Sequence, residues 1–357
     1  MELHGTPEPV FYELAGLDLP PVTDAAFAVW HVLPWAMKAG FDFHIAAPVD
    51  PAVLASAEKL TRVWEMWLPH RFRELRITAE GVPSLPGPRR DELTFYSGGI
   101  DSTHMLLRLG RRDKPALALT VHGMDYEVDN QAGFDGLLAR TGPFLASLNY
   151  RRLTLRSNAS LIARGDHGWG MALAGHAFLL SGLFERAVFA ADFSQEQDLG
   201  GLEPWGQNHV TNRYFRGRHF RFESLCEDVT RAEKMLDVAH HAGALASASF
   251  CKDKSVRPLN CGNCGRCARA KAMFVAMTGR MPPVFVDNAY GEHTIRRLKL
   301  HDKHEQLFLI DMYQHARKRG FLPLLPGLEA RIEHVRRHPA RLAVDEVSEA
   351  LRRDAAA

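Results

Sequence analysis

The order of apolar and polar positions divides the chain into three stretches. Residues 1–90 read as helix-like Asp24–Lys38, strand-like Phe41–Ala47, helix-like Pro51–Leu68 and strand-like Phe72–Ala79. Gly81-Val-Pro-Ser-Leu-Pro-Gly-Pro-Arg-Arg90 then interrupts with prolines and glycines, which mark a linker and a boundary near residue 90. From Asp91, short apolar runs alternate with helical spacing. Strand-like Leu93–Tyr96, Ala116–His122, Arg152–Leu155, Ala187–Ala191 and His219–Phe222 are separated by helix-like patterns through Leu109, over Gln131–Leu148 and over Trp169–Phe184, with Thr230–Ala242 after the last strand. That alternation predicts an α/β fold: a parallel sheet with helices on both faces. Asp192 to about Asn212 reads as a polar loop. Past Asn288 the chain turns to charge and helix formers, with Leu342, Val344, Val347 and Leu351 on one face of a terminal helix. The expected units are an N-terminal α/β extension (1–90), a central domain (91–285) and a C-terminal helical extension (286–357).

Within this pattern, Leu93–Tyr96 runs directly into Ser97-Gly-Gly-Ile-Asp-Ser-Thr103 and then a helix. Two glycines allow a tight turn and close ligand approach, and the helix start presents unpaired N–H groups with a partial positive charge. The hydroxyls of Ser97, Ser102 and Thr103 add donors. Strand, small-residue turn and helix together predict a pyrophosphate cradle. No Gly-Lys-Ser/Thr follows the glycines, so this is not the Walker sequence.

A second constellation is Cys251, nine residues, then Cys261-Gly-Asn-Cys264-Gly-Arg-Cys267. Four thiols at this spacing suit a closed tetrahedral zinc site, structural because no position is left for water. An iron–sulfur cluster uses the same ligand type. Cys226, the fifth cysteine, reads as a small core residue.

Composition narrows the remaining classes. Forty-four basic against 42 acidic side chains leave a net charge of +2, which supplies no global case for nucleic-acid binding. No secretory signal pattern is seen, and Trp169–Phe184, the most apolar stretch, is short for a membrane span and carries His176. Clustered cysteines of metal spacing point to a reducing compartment, with the cytoplasm as the expectation.

The Ser97–Ser102 run resembles the SGGxDS signature of the PP-loop ATP pyrophosphatases, the adenine nucleotide α-hydrolase-like (HUP) superfamily. Paired with the cysteine knuckle, it resembles the 7-cyano-7-deazaguanine synthase family over about residues 91–275. Val121-His-Gly-Met-Asp-Tyr126, Ala191-Asp-Phe-Ser194 and Thr230-Arg-Ala-Glu233 are weaker echoes. The resemblance implies ATP with Mg2+ and Zn2+. Pyrophosphate would be held by Ser97, Gly98, Gly99, Ile100, Asp101, Ser102 and Thr103, with Ser97, Asp101, Ser102 and Lys234 in catalytic roles. Adenine would lie near Val121 and His122. Asp192 would be a nucleotide or metal contact, and Glu196 and Asp198 further metal or substrate candidates. The reaction implied is adenylation of a small, deazapurine-like carboxylate, with ammonia or another amine displacing AMP to give an amide or nitrile. The family's Tyr-Pro-Asp-Cys-Arg substrate loop is absent, and Gly201-Leu-Glu-Pro-Trp-Gly-Gln207 stands instead. Antiviral relatives that act on a protein partner are a second branch of the resemblance, and a homodimer is also compatible with it. Sulfur transfer to RNA and a non-enzymatic zinc interaction module are the competing functions.

Overall fold

A computed structural model describes residues 9–84, 87–162, 165–200, 204–299 and 303–337. The chain order is β1 (Tyr12–Ala15), α1 (Ala26–Ala39), β2 (Phe43–Ile45), α2 (Pro51–Trp67), β3 (Ile77–Ala79), β4 (Arg90–Phe95), α3 (Ile100–Leu109), β5 (Ala116–His122), α4 (Gln131–Ser147), β6 (Tyr150–Ser157), α5 (Trp169–Leu179) and β7 (Phe184–Ala190). It continues with α6 (Gln195–Gly200), α7 (His209–Asn212), β8 (Arg221–Leu225), α8 (Arg231–His240), α9 (Ala242–Ser247), α10 (Gly265–Thr278), α11 (Glu292–Arg296), α12 (Lys303–Arg319) and α13 (Leu328–Arg337).

Six strands form the central sheet in the order β1-β6-β5-β4-β7-β8. All neighbours are parallel except β1, which runs antiparallel to β6 with Tyr12 opposite Ser157. The chain therefore builds outward from β4 through β5 to β6, then returns to the other side of β4 for β7 and β8. The loops after β4 and β7 diverge at that reversal, which opens a crevice at the carboxyl ends of the strands. Central strands read as apolar runs because both faces are covered. On one side of the sheet Trp30, Trp64, Phe178 and Phe222 centre one core; on the other, Tyr96, Phe144, Phe274 and Met312 centre a second.

Several boundaries differ from those the periodicity predicts. The apolar run from Trp169 is helical only to Leu179, and Phe184 already belongs to β7. The stretch read as one helix over Thr230–Ala242 is two: His241 ends α8 and caps α9 by accepting from Ala244 N at 3.1 Å. The supposed loop from Asp192 contains α6 and α7. β1, too short to show a period, completes the sheet edge. Residues 9–84 are not set apart from the sheet. β1 pairs with β6, and α1 lies along α5, with the His31 ring filling the space left by Gly175. The described part of the C-terminal stretch is equally embedded, α12 packing on α8 and α10. Leu342–Leu351 lies outside the described residues, as do residues 201–203 of the substituted loop.

Candidate functional site

The predicted cradle begins where β4 ends. Tyr96 N donates to Leu119 O at 2.8 Å, keeping the chain in the sheet up to the turn. Gly98 then takes φ +76°, and a Cβ there would lie 2.9 Å from Thr141 Cγ2 and 3.0 Å from Leu137 Cδ1. Only glycine satisfies both conditions. The Ser97 hydroxyl accepts from Gly99 N at 3.3 Å and meets Ser102 Oγ at 3.2 Å, so the turn is closed by its own hydroxyls. Gly99 occupies the N-cap of α3 without a capping side chain. The amides of Ile100, Asp101 and Ser102 thus have no acceptor in the helix and carry its positive end. Ile100 and Thr103 bury their side chains, and Thr103 N donates to Gly99 O at 3.0 Å, so of these two only the Ile100 amide is left at the helix start.

Facing it is a four-member ionic cluster. Arg231 Nη2 lies 2.9 Å from Asp101 Oδ2 and 3.0 Å from Asp192 Oδ1. Lys234, fully buried, donates to Ala191 O at 2.6 Å and Asp192 O at 3.3 Å, and stands 3.4 Å from Asp101 Oδ1. Trp205 Nε1 donates to Asp192 Oδ2 at 2.9 Å. Burial raises the pKa of Asp192, as does Asp101, while Arg231 and Lys234 oppose them. Burial also works against the charge on Arg231, but Asp101 and Asp192 outweigh it, so the guanidinium stays protonated. Asp101 comes from the first turn of α3 after β4, Asp192 from the loop after β7, and both cations from α8. The strand reversal brings these three segments together.

Arg231 is the member that sequence reasoning missed. The available signal was its position three residues before Lys234, on the same helical face and one residue after the capping Thr230. Its guanidinium also lies 5.2 Å over Phe308 of α12, and Arg269 covers the same ring at 4.2 Å.

Other predicted residues stand apart. The His122 ring stacks on Phe134 at 4.3 Å and pairs with Glu127 O at 2.8 Å, and both His122 and half-buried Val121 sit in β5, opposite Arg156 and Leu155 of β6. Asp198 accepts from His209 N at 2.9 Å and pairs with His209 Nδ1 at 3.0 Å, a clasp between α6 and α7. Glu196 is exposed. Cys226 follows β8 with φ +63°, and burial pushes its thiol up, which disfavours a nucleophilic role.

The four cysteines converge. Their sulfurs all lie within 4.8 Å of one another, with Cys251–Cys264 and Cys261–Cys267 both at 3.8 Å. A tetrahedron of sulfurs about 2.3 Å from zinc has edges of about 3.8 Å, so the set can hold a metal such as zinc. Backbone amides already point at the sulfurs: Asn263 N and Cys264 N donate to Cys261 at 3.3 and 3.2 Å, and Cys267 N to Cys264 at 3.4 Å. Cys264 also caps α10, where the helix end favours a thiolate. Gly262 makes the knuckle: at φ +85°, its Cβ would meet Asp287 O at 2.1 Å.

The two sites are joined by a short segment. Asn260 accepts from Phe250 N at 3.0 Å and donates to Ala248 O at 3.0 Å, while Ser249 N donates to Gly98 O at 2.8 Å. No protein-family model, curated protein or solved structure matches this chain. No helix of the described residues is long and apolar enough to cross a membrane.

Proposed function

We propose that this chain is an ATP-dependent, AMP-forming carbon–nitrogen ligase of the PP-loop type, resembling the 7-cyano-7-deazaguanine synthases. The observation that carries this reading is the uncapped start of α3, behind the Ser97–Gly99 turn, facing Lys234 and Arg231. A carboxylate oxygen of the substrate attacks the α-phosphorus of ATP, the bond to the β-phosphate oxygen breaks, and pyrophosphate leaves into the cradle. Fixed amides and the Ser97 and Ser102 hydroxyls receive charge as it forms on the leaving group, without reorganisation. Lys234 and Arg231 supply the balancing positive charge, and Asp101 and Asp192 aim them. Ammonia or an amine then attacks the acyl carbon, AMP departs, and an amide results; a second adenylation, with loss of the amide oxygen, gives a nitrile.

The carboxylates of Asp101 and Asp192 share one partner, Arg231, and so lie close enough to offer hard oxygen donors to Mg2+. When bound, that ion neutralises phosphate charge. The four-sulfur set suits structural Zn2+, contributing to folding rather than to the reaction. A sulfur-transfer reading finds only Cys226 outside that set.

The test is ATP–pyrophosphate exchange across a panel of carboxylates that includes 7-carboxy-7-deazaguanine, with AMP and ADP measured in parallel. Carboxylate-dependent exchange and AMP release are expected, and exchange with that compound identifies the acid. AMP release that needs a protein partner points to the defence-type branch. ADP as sole product overturns the proposal.

A further inference from the structure

Beside the cradle, on the face carrying α4, lies a group of hydrogen-bond donors that the adenylation reading does not use. Arg140 of α4 is half-buried, and its one hydrogen bond among the described residues is a long one, from Nη2 to Ala248 O at 3.5 Å. Its Nε is buried without a partner. The hydroxyls of Tyr126 and Ser249, residues 3% and 4% exposed, are likewise buried and, among the described residues, meet only each other and Arg257, whose Nη1 donates to Asp125 O at 2.8 Å while its Nε is buried without a partner. These groups belong together. Ser249 and Arg257 flank the Tyr126 hydroxyl, the Arg257 guanidinium sits 4.6 Å over the Tyr126 ring, and the Arg140 charge acts on Tyr126 and Tyr96. Behind them Arg152 donates to the hydroxyls of Thr120 and Thr141 at 2.9 and 2.6 Å.

The charges around this group do not cancel. Asp125 stands 3.8 Å from Arg257, but among the described residues neither Arg140 nor Arg152 has a carboxylate partner. A half-buried guanidinium without a counter-charge is disfavoured, and buried donors short of acceptors add to that. One bound oxyanion relieves both at once, since it accepts several donors and carries the missing charge.

We infer that Arg140, Arg257, Tyr126 and Ser249 form an oxyanion subsite, for a carboxylate or a phosphate, between Gly98, α4 and the segment leading into the cysteines. Ser249 N is already bonded to Gly98 O, so an anion held here lies next to the turn that cradles pyrophosphate. Burial also keeps the Tyr126 phenol protonated and therefore a donor. The subsite does not depend on the adenylation reading.

Thermal unfolding of the full chain is measured in increasing inorganic phosphate and, separately, benzoate, with sodium chloride at equal ionic strength as the reference. Anion-dependent stabilisation is expected for the wild type. Arg140→Gln and Tyr126→Phe are each expected to need on the order of tenfold more anion for the same rise, the loss typical of one charge-assisted hydrogen bond. Tyr126→Phe removes a single hydroxyl and guards against a folding artefact. A stronger response to phosphate assigns the subsite to a phosphate group; a stronger response to benzoate assigns it to a carboxylate. The inference is overturned if both variants respond like the wild type, or if the wild type gains no more from either anion than from chloride. An anion response that persists where exchange is absent separates this subsite from the ligase reading.

Discussion

Gly98 and the charged quartet are where single residues carry the argument. Gly98→Ala forces an L-residue to φ +76° and drives a methyl into Thr141 and Leu137. The backbone strain alone is about 1–3 kcal/mol, so a lower melting temperature and loss of pyrophosphate exchange are expected together. Lys234→Met is the sharper probe of the reaction. Removing one fixed donor from a developing charge costs about 100-fold in rate, so exchange should fall by that order. Circular dichroism checks that the fold persists without the Lys234–Ala191 hydrogen bond.

The histidines His31 and His176 give a residue-scale prediction unrelated to the reaction. Both are buried, with ring centroids 4.7 Å apart. Burial lowers His31 well below the usual range, helped by His176, and brings His176 down to about 4. The folded state therefore prefers both rings neutral, whereas the unfolded chain protonates them near pH 6.5. Their contribution is fully present above pH 6.5 and is lost as pH falls toward 4, by about 1.4 kcal/mol per pH unit for each ring. Urea unfolding at pH 7, 6 and 5 should show this decline, and His176→Leu should flatten it. An unchanged slope in that variant would show that the loss arises elsewhere.

Among elements, the informative relation is between the cysteine knuckle and the turn at Gly98. A metal on the four sulfurs would hold the start of α10 to Cys251; Asn260, between them, fastens Ala248 and Phe250, and Ser249 N bonds Gly98 O. Zinc should be found at one ion per chain by elemental analysis. Chelation, or Cys261→Ser, should lower the melting temperature and weaken nucleotide binding even though no cysteine touches the cradle. The motif itself was legible from spacing. This relay was not, because Asn260 and Ser249 carry no period or motif and act only through atoms that meet in the folded chain. Arg231 escaped notice for a similar reason: a basic residue in the first turn of a helix is ordinary until Asp101 of α3 and Asp192 after β7 are brought against it.

At the scale of the whole molecule, the apparent boundary near residue 90 is a feature of the connecting chain, not of the core. Trp30 and Trp64 lie in the same apolar cluster as Leu93, Phe178 and Phe222, and β1 covers the edge of β6. A fragment starting at residue 91 would expose that face and an unpaired strand edge. It is expected to lose cooperative unfolding and to aggregate, readable by calorimetry and light scattering; a fragment that melts cooperatively like the intact chain would show an independent domain.

The sequence by itself determined the alternation of strands and helices, the glycine turn that needs φ > 0, and the four-thiol set. These are local chemistry: side-chain period, backbone freedom and ligand spacing act over a few residues. Tertiary structure alone decided that β4 lies between β5 and β7, and hence that Asp101, Asp192, Arg231 and Lys234 share one crevice. It also decided that the N-terminal elements complete the core. Strand order and the pairing of buried charges depend on contacts between residues far apart in the chain, and no local pattern encodes which of them meet.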